Sequence, residues 1–191
     1  MHGKLILVVG PTGSGKGTLE AHLHEVRPDI YWSISCTTRT PRPGEKDGDR
    51  YFFIPKEEFE RLEKAGEFLE WAQYGGNFYG TLKSQVFPML AQGKTVMREV
   101  EVQGARQIMQ AVPKEQCKII FIDAGPWEEL ERRVLARASM GEVELLSRRK
   151  RYEDEISFMP QADVVVKNYD GGLSQAKKDF VAAVEKLQQS V

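Results

Sequence analysis

The sequence predicts an α/β fold, with a parallel sheet flanked by helices and a small α+β unit inserted into it. Three observations carry this. A short apolar strand runs into a glycine-rich turn ending in lysine, and a helical pattern follows at once. Two further apolar strands alternate with helical patterns, the rhythm of parallel strands joined by crossover helices. Two segments, one rich in proline and glycine and one densely charged, stand outside that rhythm. At 191 residues the chain is one domain or a core with inserts, long enough to bury a core without staples.

Leu5-Ile6-Leu7-Val8-Val9 is a continuous apolar run ended by Gly10, which suits a strand buried on both faces. A helix follows from about Gly17, with Leu19, Leu23 and Val26 on one side, and ends before Pro28. Residues 34–81 contain Pro41, Pro43 and the run Tyr51-Phe52-Phe53-Ile54, then a short helix starting near Pro55 or Lys56. This is the expected α+β insert, with Phe59, Leu62, Phe68 and Leu69 as its own core. The runs Cys117–Ile122 and Ala162–Val166 are the other apolar strands. Two charged helices lie in 127–158, and Ser174–Gln189 carries Ala176, Phe180, Val184 and Leu187 in helical phase.

Composition excludes several classes. A net charge of −1 gives no support for non-specific binding to nucleic acid or membrane. The apolar run at residues 4–10 is too short for a signal peptide or a span. Two cysteines without CxxC spacing read as reduced thiols, and the three histidines have no metal-site spacing. The expectation is a soluble intracellular, cytoplasmic protein with no nucleic-acid or membrane partner.

The stretch Gly10-Pro11-Thr12-Gly13-Ser14-Gly15-Lys16-Gly17-Thr18 is a phosphate loop in the right context, after a strand and opening a helix. Backbone N–H groups of such a loop point inward, the helix adds the positive end of its dipole, and Lys16 reaches the β and γ phosphates. Gly17 stands where serine or threonine would hold magnesium. Magnesium keeps several waters readily, so the loss of one protein ligand is tolerable. Further on, Arg39 and Arg42 flank Thr40-Pro41, and two guanidinium groups held close together suit bidentate capture of a phosphate.

Three stretches after this loop, TTRTPRPGEKDGDRYFFI, GEFLEWAQYGGNFYGT and EVEVQGARQI, resemble guanylate kinase, and the resemblance spans nearly the whole chain. It implies a P-loop NTPase core made of 1–33, 82–126 and 156–191, with a GMP-binding insert at 34–81 and a helical lid at 127–155. It implies that Arg39, Arg42, Tyr51 and Tyr79 grip the phosphate of GMP. Ser35, Glu70 and Glu101 then read guanine, assisted by Thr81. The chemistry agrees: guanine offers two donors, N1–H and the N2 amine, to acceptor-only carboxylates, whereas adenine has an acceptor at N1. Sites built on such bonds discriminate by about 10⁴. The GKGT form of the loop also occurs in nucleotide monophosphate kinases, with Mg²⁺ held mainly through water and ATP oxygens rather than by protein side chains.

One departure stands out. Relatives carry two aspartates separated by one residue where this chain has Glu99 and Glu101, preceded by Arg98 instead of an apolar residue. Strand alternation puts the two glutamates on one face and Arg98 on the other. Both glutamates are assigned to the acceptor side, Glu101 near GMP and Glu99 toward metal and phosphates. No role for Arg98 follows from the sequence.

The stretch RRVLARASMGEVELLSRRKRYEDEI matches the family's lid. Arg137 and Arg148 are the expected stabilisers of charge on the transferred phosphoryl group, as phosphoryl transfer depends mostly on positioning and electrostatics. Arg133 and Asn168 fall on ATP-side positions. The expected substrates are ATP and GMP, with dGMP alongside. Two competing readings are a catalytically dead scaffold relative, which the intact Lys16 opposes, and a kinase for another acceptor, which Glu70 and Glu101 oppose.

Overall fold

The computed structural model describes residues 3–136 and 141–190. Its first sheet has five strands: β1 (Lys4–Val9), β2 (Tyr31–Trp32), β7 (Thr95–Glu99), β8 (Cys117–Asp123) and β9 (Val164–Lys167), in the order β2-β7-β1-β8-β9. Tyr31 pairs with Val96, and Ile120 with Val164, both in parallel register. Parallel neighbours out of chain order require crossovers, and helices supply them. The second sheet has β3 (Ser35–Thr37), β4 (Tyr51–Phe53), β5 (Phe68–Tyr74) and β6 (Asn77–Leu82), in the order β4-β3-β6-β5. The chain forms two compact units. One comprises Met1–Leu5, Ile30–Arg98 and Gln103–Cys117, the other Ile6–Asp29, Glu99–Val102 and Lys118–Val191.

In the first unit, α2 (Lys56–Lys64) starts directly after Pro55, with Glu57 and Glu58 in its first turn and Arg61 and Lys64 in its last. Those charges complement the helix dipole. The helix buries Phe59, which stacks on Phe68 at 4.3 Å and on Phe78 at 5.3 Å, with Trp71 edge-on at 6.3 Å. Phe68 and Trp71 share this cluster although they stand three positions apart. A regular strand would turn them to opposite faces. The register slips by one residue between Phe68 and Glu70, with Leu69 as the extra residue, and this bulge reverses the alternation. Glu70 consequently faces away from the aromatic core, opposite Thr81 of β6. The unit also holds α3 (Lys83–Ala91) and most of α4 (Val102–Ala111).

The apolar run Leu5–Val9, of which residues 6–9 belong to the second unit, continues into the loop as expected, and all five residues are buried. After the loop comes α1 (Lys16–Val26), and α7 (Leu173–Gln189) packs against both α1 and β9. Ala176, Phe180, Ala183, Val184 and Leu187 are buried at helical spacing on α7, and Leu19 and Leu23 on α1. Val26 departs from expectation. It is 47% exposed, at the last residue of α1. The charged helices are α5 (Trp127–Leu135) and α6 (Glu142–Phe158), joined by a cluster of Ala124, Trp127 and Leu130 with Leu145 and Tyr152. No helix among the described residues is long and apolar enough to cross a membrane.

Candidate active site

The phosphate loop belongs to the second unit. A Cβ at Gly10 (φ +150°) would fall 2.5 Å from the carbonyl oxygen of Ile122, and one at Gly15 (φ +91°) would collide with the Asn168 amide. Glycine is required at both positions by close approach as well as by backbone angle. Gly15 is the N-cap of α1 and supplies no side-chain cap, so the helix's first N–H groups remain for an anion. Lys16 Nζ donates to Gly10 O at 2.7 Å and to Pro11 O at 3.2 Å, and lies 3.5 Å from Glu99 Oε1. Three acceptors thus surround an ammonium with three protons. Asn168 is buried, and its Nδ2 donates to Ser14 O at 2.7 Å, bracing the loop from behind.

In the first unit, Arg39 forms a two-pronged pair with Glu45, each contact at 3.0 Å, and Glu45 Oε2 also accepts the Arg42 N–H at 2.7 Å. This carboxylate gathers the two arginine positions around one point. Its hydrogen bond from Arg39 holds it below its usual range. The Arg39 guanidinium lies over the rings of Tyr51 (5.5 Å) and Phe53 (5.6 Å), and Tyr51 meets Tyr79 edge-on at 5.9 Å. Arg39, Tyr51 and Tyr79 therefore come together, with Arg42 exposed beside them.

The same unit buries a polar pocket. Ser35, Thr81 and Glu70 are all buried, Glu70 with 7% of its surface exposed. Thr81 Oγ1 donates to Glu70 Oε1 at 2.5 Å. Arg98 enters this pocket: its Nε donates to Thr81 Oγ1 at 2.8 Å, its Nη2 to Ser35 Oγ, and Nη2 lies 4.0 Å from Glu70 Oε1. The strand alternation expected to align Glu99 with Glu101 does not reach Glu101. β7 ends at Glu99 and α4 begins at Val102, leaving Glu101 exposed in the connection.

Among the residues expected on a lid, Arg133 pairs with Glu129 at 2.7 Å and with Asp170 at 2.9 Å. Arg148 pairs with Glu144 one turn earlier at 3.0 Å. Arg148, Tyr152 and Glu155 line a small cavity with Thr12 of the loop and Trp127. Arg137 lies outside the described residues. Burial pushes Glu155 from its ordinary 4.5 up to about 7; nearby Lys16 opposes the rise and Glu101 adds to it. A carboxyl with a raised folded-state pKa takes up a proton on folding. Its contribution to stability is therefore complete below about pH 4.5 and is lost as pH rises through about 7. Glu155→Gln should raise the thermal midpoint at pH 8 and change it much less at pH 5, measured by circular dichroism. A variant destabilised at pH 8 would mean that the ionised carboxylate is held in place there.

The guanylate kinase family model matches residues 2–187 of the chain. The chain belongs to the guanylate kinase family. It is 43% identical over 180 residues to the guanylate kinase of Synechococcus sp. (strain JA-3-3Ab), covering 94% of this chain and 81% of that one. With the guanylate kinase of Synechocystis sp. (strain ATCC 27184 / PCC 6803 / Kazusa) it shares 45% over 182 residues, covering 95% and 93%. Among solved structures, guanylate kinase from Anaplasma phagocytophilum matches with a TM-score of 0.75 at 28% identity, covering 100% of this chain and 88% of that chain.

For this guanylate kinase family member, sequence reasoning missed three residues. Glu45 left a signal, an acid three residues after Arg42 in the proline-bounded loop. Arg98 left only an anomaly, a cation where the family pattern is apolar. Glu155 left none, since its setting depends on burial against residues far away in the chain.

Proposed function

We propose that this chain transfers the γ-phosphoryl group of ATP to GMP, and to dGMP, giving ADP and GDP or dGDP. The observation that carries this reading is the buried pocket of Ser35, Glu70 and Thr81, whose carboxylate suits the N1–H and N2 donors of guanine. Tyr51, Tyr79, Arg39 and Arg42 hold the acceptor phosphate. A phosphate monoester is already largely dianionic at neutral pH, so its oxygen needs no general base, only neutralisation and alignment. The loop N–H groups and Lys16 hold the ATP phosphates, with Arg148, Arg137 and Arg133 adding positive charge on the lid side. Glu101 completes guanine reading.

Magnesium fits this donor set as an ion carried on ATP. Gly17 offers no hydroxyl, and no group of three or more His, Cys, Asp or Glu side chains among the described residues could hold a metal. Glu99, beside Lys16, would hold it through water. When bound, magnesium neutralises the charge on the β and γ oxygens. Buried thiols at Cys36 and Cys117, with no disulfide between them, suit a reducing, cytoplasmic setting.

The test is ADP release with GMP, AMP, CMP and UMP compared side by side. GMP should exceed each of the others by at least about 10²-fold in kcat/KM, a modest demand for a pocket that matches substrate donors to buried acceptors. Equal release with AMP would overturn the reading.

A further inference from the structure

Arg98 is the residue that the family pattern leaves unexplained, and its surroundings give it a definite job. The side chain is 15% exposed and bonds three groups: Thr81 Oγ1, Ser35 Oγ and, at 3.3 Å, Ser33 O. A guanidinium carries donors only, while a hydroxyl can both donate and accept. Each hydroxyl that Arg98 touches must therefore accept from it and send its single proton elsewhere. The Thr81 proton goes to Glu70 Oε1. The Ser35 proton is left for a ligand. Thr81 takes one acceptor site of Glu70 Oε1, and the carboxylate keeps others that can accept from a ligand. The carboxylate, buried and thus costly to leave without a counter-charge, has the Arg98 cation 4.0 Å away.

We infer that Arg98 is a positioning residue that sets the hydrogen-bond polarity of the base pocket, fixing the Ser35 hydroxyl as a donor beside the Glu70 acceptor so that the pocket selects a 6-oxopurine. This rests on the placement of guanine at Ser35 and Glu70. Guanine presents an acceptor at O6 next to a donor at N1. Adenine presents the reverse, a donor at N6 and an acceptor at N1. Without Arg98 the Ser35 hydroxyl is free to rotate and serve either pattern, so discrimination falls even though Ser35, Thr81 and Glu70 are all retained.

The test compares GMP, 6-thio-GMP and AMP as acceptors for the purified full chain. 6-Thio-GMP keeps N1–H and the N2 amine but replaces O6 with sulfur, a weak acceptor. In the parent, GMP should exceed 6-thio-GMP by about tenfold or more in kcat/KM, the scale of one good hydrogen bond. In Arg98→Met the KM for GMP should rise about tenfold, with kcat and the KM for ATP within about threefold of the parent. The GMP to 6-thio-GMP ratio should fall toward unity and the GMP to AMP ratio should fall about tenfold. Arg98→Lys, donor-only but with a single head, should retain part of both ratios. Ser35→Ala should lose the thio ratio by itself, and adding Arg98→Met to it should lower that ratio no further, because Arg98 acts through Ser35. Equal losses from Arg98→Met in the presence and absence of Ser35, or an unchanged thio ratio in Arg98→Met, overturn the inference. Should Arg98→Met fail to fold, Arg98→Lys and Ser35→Ala decide: unchanged thio ratios in both overturn it. Glu70→Gln separates the two levels. If it leaves the GMP to AMP ratio intact, guanine is not read in this pocket and both readings fall. If it collapses that ratio while the Arg98 variants leave the thio ratio unchanged, only the role of Arg98 falls.

Discussion

Lys16→Ala should lower kcat for phosphoryl transfer by about 10³-fold, the upper end of what one preorganised charged donor contributes. Lys16 is held by Gly10 O, Pro11 O and Glu99, so its ammonium is already aimed at the mouth of the loop before any nucleotide arrives. Phosphate oxygens can replace those carbonyls without rearranging the backbone. Alanine removes that charge but leaves Gly10, Gly13 and Gly15 in the left-handed angles that shape the cradle. Gly10 O loses a partner at a cost of about 1–3 kcal/mol, while Pro11 O keeps the Ser14 N–H. For a chain of this length each kcal/mol shifts the thermal midpoint by about 2–4 °C, so the variant should remain folded at assay temperature. Coupled ADP release and calorimetry on the same preparation check both halves. Near-parental kcat would remove the loop from catalysis.

Arg39→Ala should raise the KM for GMP by about 10²-fold and leave the KM for ATP within about threefold. A charge-assisted hydrogen bond to phosphate contributes about 1.5–3 kcal/mol, and each 1.4 kcal/mol is a factor of ten. The guanidinium is held from two sides, by the Glu45 carboxylate and by the rings of Tyr51 and Phe53. Little entropy therefore remains to be lost when a phosphate binds. The Arg39–Glu45 pair is near the surface and adds little to stability, so the variant should unfold close to the parent's midpoint. Initial-rate kinetics with each substrate varied in turn separate the two constants. An equal rise for ATP would place Arg39 with the wrong nucleotide.

Much of this could be read without coordinates because its causes are local. Leu5–Val9 is apolar at every position, as a strand buried on both faces must be, and Gly10 to Lys16 follows it directly. The spacing of Ala176, Phe180, Val184 and Leu187 declares the face that α7 buries. Pro55 marks the start of α2, and Arg39 and Arg42 sit together because one proline-bounded turn carries both. The motif order then carried the family resemblance.

The sequence by itself determined the phosphate loop, the alternation of strands and helices, and the residue types from which the two nucleotide sites are assembled. Each depends on neighbours a few positions away, where periodicity and backbone angle act directly. The tertiary structure decided where several of those side chains point. A bulge at Leu69 turns Glu70 away from the aromatic core, and only the pairing of β5 with β6 reveals it. β7 stops at Glu99, so alternation counted along the sequence does not carry to Glu101. Arg98 finds Ser35 and Thr81, Asn168 finds Ser14, and Glu155 is half-buried near Lys16. These contacts join residues from 17 to more than a hundred positions apart. Register, bulges and burial arise from packing between distant segments, and no local pattern encodes them.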